Sequence, residues 1–278
     1  MIIWQRPTTD TFSEFTYGFA LVNELVSNTP ILSVPVFPSL LAEGRAGGGY
    51  DVFLDRPGHP LFLQFKLARN IRGWRAREFQ QGIFQRPFYR MYVRPKGSSQ
   101  QHKLLLDLER QNRGTVFYCA PAFHALGQLN TFYNARRIAR YSRFVRPSAL
   151  PRIRDNDEHW LSFQRAKSGT TAFFSEEGRR IELDERSIQE RLQEALAKTE
   201  QMPFKQTITA LAQWLDEQVT QLEWIWQDEI DDDPERTRDL ETAKQFPREI
   251  TPLEKVTILS QTILNSTFCV LQSRETKG

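Results

Sequence analysis

The stretch GRAGGGYDVFLDRPGHPLFLQFK, residues 44–66, decides how the first half of the chain is read. Its glycines favour a turn, and residues 50–54 (YDVFL) have the apolar and aromatic content of a strand. Residues 55–60 (DRPGHP) are turn formers, and residues 61–66 (LFLQFK) carry a second strand signal. Together they predict a hairpin with Asp51 on its first strand and Gln64 and Lys66 on its second. Residues two apart on a strand share a face. Gln64 and Lys66 are therefore expected on one side, and Leu63 and Phe65 on the other, toward the core. A lysine in so apolar a strand calls for a polar partner, because an unpaired buried charge is costly. Asp51 could supply it.

Outward from this hairpin, residues 12–28 place Phe15, Phe19, Val22 and Val26 at three- and four-residue steps, with Gly18, Leu21 and Leu25 beside them. That spacing predicts an amphipathic helix. Pro30, Pro35 and Pro38 then favour extended chain. Strands are predicted over 87–93, 115–120, 159–164 and 172–182, and helices over 101–110 and 126–141. Past 183 the period changes. Ser187 with Glu190, and Thr251 with Glu254, fit capping boxes, and helices are expected over 188–199, 204–229 and 252–272. The resulting class is α/β (α+β). A mixed sheet flanked by helices is expected over 1–183, followed by an acidic, all-helical C-terminal region over 184–278.

The chain has 278 residues, room for one or two domains at roughly 150 residues each. Its only cysteines are Cys119 and Cys269, which excludes a disulfide framework and a cysteine-built zinc site. No run approaches the roughly 18 apolar residues of a membrane span, so no membrane partner is expected. The opening MIIWQRPTTD lacks the pattern of a secretory signal, and the cytoplasm is the expected location. The net charge of +3 hides an asymmetry. Residues 1–180 hold 26 Lys and Arg against 14 Asp and Glu, whereas residues 181–278 hold 11 against 20. A basic half of this kind points to nucleic acid.

Two readings of the hairpin follow from its residue types. In one, Asp51 and Lys66 form a structural ion pair. In the other they belong to a metal site for phosphodiester hydrolysis. Mg2+ takes hard oxygen ligands. Asp51 and the Phe65 carbonyl can provide two, Gln64 a neutral amide oxygen, and Lys66 can orient water or hold charge developing on the phosphate.

These residues resemble the PD-(D/E)XK nuclease superfamily in its restriction-endonuclease-like form. The likeness is to the Mrr-like variant, in which a glycine-rich turn leads into G-x-D-V and the second strand carries Q-x-K. Here the motif is Gly48, Gly49, Asp51 and Val52, then Gln64 and Lys66. The resemblance covers roughly residues 12–125. It implies a Mg2+-dependent endonuclease, with Mn2+ as a substitute, acting in restriction or antiviral defence. It also implies an acidic residue on the first helix. Glu14 is the candidate, ahead of Glu43 in the glycine-bearing loop, and Glu24 is expected at the surface. Gln64 departs from the strict pattern, so metal affinity would lean on Asp51 and a glutamate. In related nucleases a helix placed like 101–110 carries a glutamine near the active centre, but Gln101 reads better as an ordinary helix start. His124 and His159 are expected to be structural.

Nucleic acid, with DNA favoured, is expected along two arginine-bearing stretches. One holds Arg69, Arg72 and Arg75 among aromatic residues. The other holds Arg136, Arg140 and Arg143 on one helical face. In the acidic region, Trp214, Trp224 and Trp226 suggest packing or an interface, with a protein partner or a second copy of the chain. The acidic run 228–235 could restrain activity, in which case deleting 184–278 would increase cleavage. The alternative to a nuclease is a catalytically weak nucleic-acid-binding module, or an interaction subunit that recruits a separate effector.

Overall fold

The computed structural model describes residues 11–28, 56–94, 100–153, 156–166, 169–175, 177–199, 202–228 and 250–272. The first strand of the expected hairpin, 50–54, lies outside them. The fold is mixed α/β, with one mixed and one antiparallel sheet among the described residues. Two compact units divide the chain. Unit 1 comprises Met1–Asn28, Phe65–Ser99 and Tyr118–Ile188, and unit 2 comprises Thr29–Gln64, Gln100–Phe117 and Gln189–Gly278.

Unit 1 opens with α1, Glu14–Asn28. Its buried stripe is Tyr17, Leu21 and Leu25, one turn apart, whereas Phe15 and Phe19 are 75% and 57% exposed. The expected stripe through Phe15 and Phe19 is thus rotated. The reason lies at Gly18, where an added Cβ would come within 2.5 Å of the Phe65 ring. Only a glycine admits that ring against the helix, and Tyr17 meets the same ring edge-on at 5.9 Å.

The antiparallel sheet of unit 1 runs in the order β2 (Ala68–Ile71), β3 (Phe88–Val93), β6 (His159–Phe163), β7 (Thr171–Phe174) and β8 (Gly178–Arg180). A short helix, α2 (Arg77–Gln80), covers it, and Phe84, Phe88, Trp160, Ala172 and Phe174 form a core cluster there with Phe79 packed on it. Beside these elements are α4 (Leu126–Asn134), a 3-10 turn at Ala139–Tyr141 and strand β5 (Ser142–Val145). The helix expected over 126–141 therefore stops at Asn134, where Arg136 adopts a φ of 51°. That break overturns the single helical face expected for Arg136, Arg140 and Arg143. Arg140 falls in the 3-10 turn and Arg143 on β5.

The mixed sheet has the order β5, β4 (Thr115–Pro121), β1 (His59–Phe65) and β9 (Thr267–Leu271). Its β4–β5 pairing belongs to unit 1 and its β1–β9 pairing to unit 2. Unit 2 also contains α3 (Gln101–Arg110), α5 (Ile188–Ala197), α6 (Phe204–Asp228) and α7 (Pro252–Thr262). Thr251 caps α7 in a reciprocal box with Glu254, as expected. The C-terminal region is not all-helical, however. The helix expected over 252–272 ends at Thr262, and Asn265, with a φ of 46°, turns the chain into β9. The segment Thr267-Phe-Cys-Val-Leu is β-branched and aromatic, and it pairs antiparallel with β1, Leu61 opposite Cys269 and Leu63 opposite Thr267. No described helix is long and apolar enough to cross a membrane.

Candidate functional site

Strand β1 is apolar because it is buried along most of its length, Leu61, Phe62 and Leu63 being fully buried. Gln64 continues that run and is itself fully buried, yet neither its amide nitrogen nor its amide oxygen has a hydrogen-bond partner among the described residues. A buried polar group left unmatched costs about 1–3 kcal/mol, so such a group is rarely kept without a use. The division between the units falls directly after Gln64, and the residues that follow are described with unit 1.

In unit 1 the chain leaves β1 at Lys66, whose N–H donates to the Cys119 carbonyl at 2.9 Å. Glu14 Oε1 accepts from the Leu67 N–H at 3.2 Å, so the first turn of α1 docks on the residue after Lys66. Lys66 is 8% exposed. Burial pushes its pKa below the ordinary lysine value. The Glu14 carboxylate opposes that push, and the Arg94 charge adds to it. Glu14 and Lys66 are thus brought together. Phe65 packs on α1 and is only half-buried, where the alternation of the strand predicted core. Asp51, Glu43, Gly48 and Gly49 lie outside the described residues.

Among the described residues no group of three or more His, Cys, Asp or Glu side chains could by itself hold a metal ion. Within unit 1, a peptide carbonyl at Phe65 and a carboxylate at Glu14 are donor types that suit a hard divalent cation.

The arginines separate by burial. Arg69, Arg72, Arg75, Arg136 and Arg140 are exposed. Arg143 is 6% exposed, and its Nη2 donates to the carbonyls of Gln164 and Ala166 at 2.5 and 2.6 Å. Burial pushes its pKa down to about 10. Its guanidinium is therefore a structural clamp and not a surface cation. Of the aromatics between Arg69 and Lys96, Trp74 is exposed with Arg75 at 5.4 Å from its ring, whereas Phe84, Phe88 and Tyr89 are buried.

Glu24 is buried rather than at the surface. Its carboxylate accepts the N–H groups of Ile138 and Ala139 at 2.6 and 3.1 Å, capping the 3-10 turn. Gln101 donates to the Leu264 carbonyl at 2.9 Å, a structural tie within unit 2. Sequence reasoning missed Glu78. This fully buried carboxylate is bonded by Arg90 through Nε and Nη2 at 2.8 and 2.5 Å and by the Ser162 hydroxyl at 2.7 Å. Its only signal was an acidic residue within an aromatic segment.

No family model matches this chain, and neither a curated protein nor a solved structure matches it.

Proposed function

We propose that the chain is a metal-dependent endonuclease with a restriction-endonuclease-like core, hydrolysing phosphodiester bonds of nucleic acid, with DNA favoured. The observation that carries this reading is the closeness, two residues apart in one strand and its exit, of a buried amide at Gln64 with no hydrogen-bond partner among the described residues and a buried lysine at Lys66 that feels the Glu14 carboxylate. Purely structural residues at such positions would be apolar or matched, because each costs stability as it stands.

Asp51, the Gln64 amide oxygen, the Phe65 carbonyl and Glu14 would hold Mg2+ or Mn2+. The ion would supply Lewis acidity and an activated water. Lys66, little hydrated and with its proton loosened by burial, offers a cation toward negative charge that develops on the phosphate. The Glu14 charge works against that loosening and, through the Leu67 N–H, Glu14 fixes the chain beside Lys66. The setting in restriction or antiviral defence comes with the family resemblance.

Gln64 also favours a second reading. An amide where a carboxylate would bind metal more strongly suits a weakened site, and hence a nucleic-acid-binding module or a subunit that recruits a separate effector.

The test is cleavage of plasmid, single-stranded DNA and RNA in Mg2+, Mn2+ or chelator, with Asp51→Ala beside wild type. Cutting that needs metal and is lost in the folded variant supports the nuclease. Salt-sensitive binding without any cutting by wild type supports the second reading.

A further inference from the structure

Past Lys66's anchor on β4, unit 1 gathers a second polar cluster around Tyr89. Arg165 donates through Nε to the Ala122 carbonyl at 3.0 Å and through Nη2 to the Tyr89 hydroxyl at 2.8 Å. Its guanidinium also lies 5.8 Å from the Tyr89 ring centroid, and the His124 ring lies 6.3 Å from it. Asn70 stands opposite Tyr89 in the β2–β3 register, and its Oδ1 accepts from Arg72 Nε at 2.6 Å.

Neither guanidinium has a carboxylate partner among the described residues. Arg165 is engaged by a carbonyl and a phenol, Arg72 by an amide, and both side chains reach solvent with N–H donors to spare. His124 Nδ1 is closed off from water without a hydrogen-bond partner among those residues. Helix α4 begins two residues later, at Leu126. Cations held together with no acid repel one another, and what relieves them is an anion with several acceptor oxygens.

We infer that Arg72, Arg165 and His124 form a phosphate-binding site that grips a backbone phosphate of the nucleic acid. This rests on the nuclease reading for its substrate. The position suits the role. Lys66 is tied to Cys119 and Arg165 to Ala122, three residues on, an extended span of at most about 11 Å. Each strand of a duplex advances about 3.4 Å along the helix axis per phosphate, so the grip falls within a few nucleotides of Lys66. Burial, with the charges of Arg72 and Arg165, holds His124 below the ordinary histidine value and therefore neutral in the free chain at neutral pH. Among the described residues the groups facing it are Arg72, Arg165 and the Tyr89 hydroxyl, and the two charges are positive. A bound phosphate reverses that field, and the imidazole takes up a proton.

The test uses the full chain in chelator, a labelled single-stranded oligonucleotide as probe, and Arg72→Gln, His124→Gln and the double variant Arg72→Gln/Arg165→Gln. The double variant should bind about tenfold more weakly, and the slope of log affinity against log salt should fall by one to two. In wild type, the His124 ring-proton resonances should move to their charged positions on adding the oligonucleotide. Arg72→Gln and His124→Gln that melt like wild type and bind with unchanged affinity and slope would overturn the site. So would a His124 response to inorganic phosphate with none to the oligonucleotide. Mg2+-dependent cleavage by wild type is read separately. An unaltered slope with intact cleavage removes the phosphate site alone, and an altered slope without cleavage removes the nuclease alone.

Discussion

Lys66 was legible from its neighbours, because a lysine inside Leu61-Phe-Leu-Gln-Phe has to be either matched or used. Glu24, Glu78 and His124 were not. Glu24's partners are backbone N–H groups 114 and 115 residues away, and no side-chain pattern marks those. Glu78 and His124 acquire their meaning from Arg90, Ser162, Arg72 and Arg165, which reach them only through the sheet. Glu78 gives a pH prediction. Burial alone would raise its pKa, but the hydrogen bonds from Arg90 and Ser162 and the Arg90 charge outweigh burial and hold it below the usual carboxylate value. Its contribution is therefore full above the unfolded pKa, about 4.3, and is lost as pH falls through the folded one. Glu78→Gln should lower stability at pH 7 by about 2–4 kcal/mol, the buried-pair figure reduced because Arg90 is partly exposed. It should also flatten the acid limb of stability, read from urea midpoints across that range. An unchanged acid limb would show that Glu78 does not carry it.

At the scale of elements, periodic and capped segments were readable, and short or non-local ones were not. Helices α1, α3, α5 and α6 and the strands β1, β3, β4 and β6 fall where spacing put them. Strands β2 and β5, of four residues each, are too short to show a period. The change from helix to strand after Thr262 was missed because the apolar run 263–271 suits either state, and pairing with β1 decided it. That pairing alters the expected effect of a truncation. Deleting 184–278 removes β9, whose Phe268 packs on Phe62 at 5.4 Å, and exposes the edge of β1. The truncated chain should lose its cooperative melt and aggregate, rather than cleave faster. A soluble 1–183 fragment with a sharp thermal transition by circular dichroism would contradict this.

For the whole molecule, the charge asymmetry pointed to a polyanion before any residue did, and exposed Arg69, Arg72, Arg75, Arg136 and Arg140 leave that expectation standing. What the linear order concealed is that unit 2 assembles from Thr29–Gln64, Gln100–Phe117 and Gln189–Gly278, with the unit boundary passing between Gln64 and Phe65. Local motifs survive such interleaving, because Gln64 and Lys66 stay neighbours whatever the rest of the chain does. On the proposed nuclease reading, Lys66 is kept for chemistry at the expense of stability. The most direct measurement is Lys66→Met in the full-length chain, taking its thermal midpoint and its metal-dependent cleavage rate on the same preparation. Removing a charge whose burial costs more than Glu14 returns should leave the midpoint equal to or above that of wild type. Cleavage should fall by on the order of 100-fold or more, the scale of a lost charge-stabilising group. A variant that melts markedly lower while cutting at the wild-type rate would contradict the account and make Lys66 half of a structural ion pair.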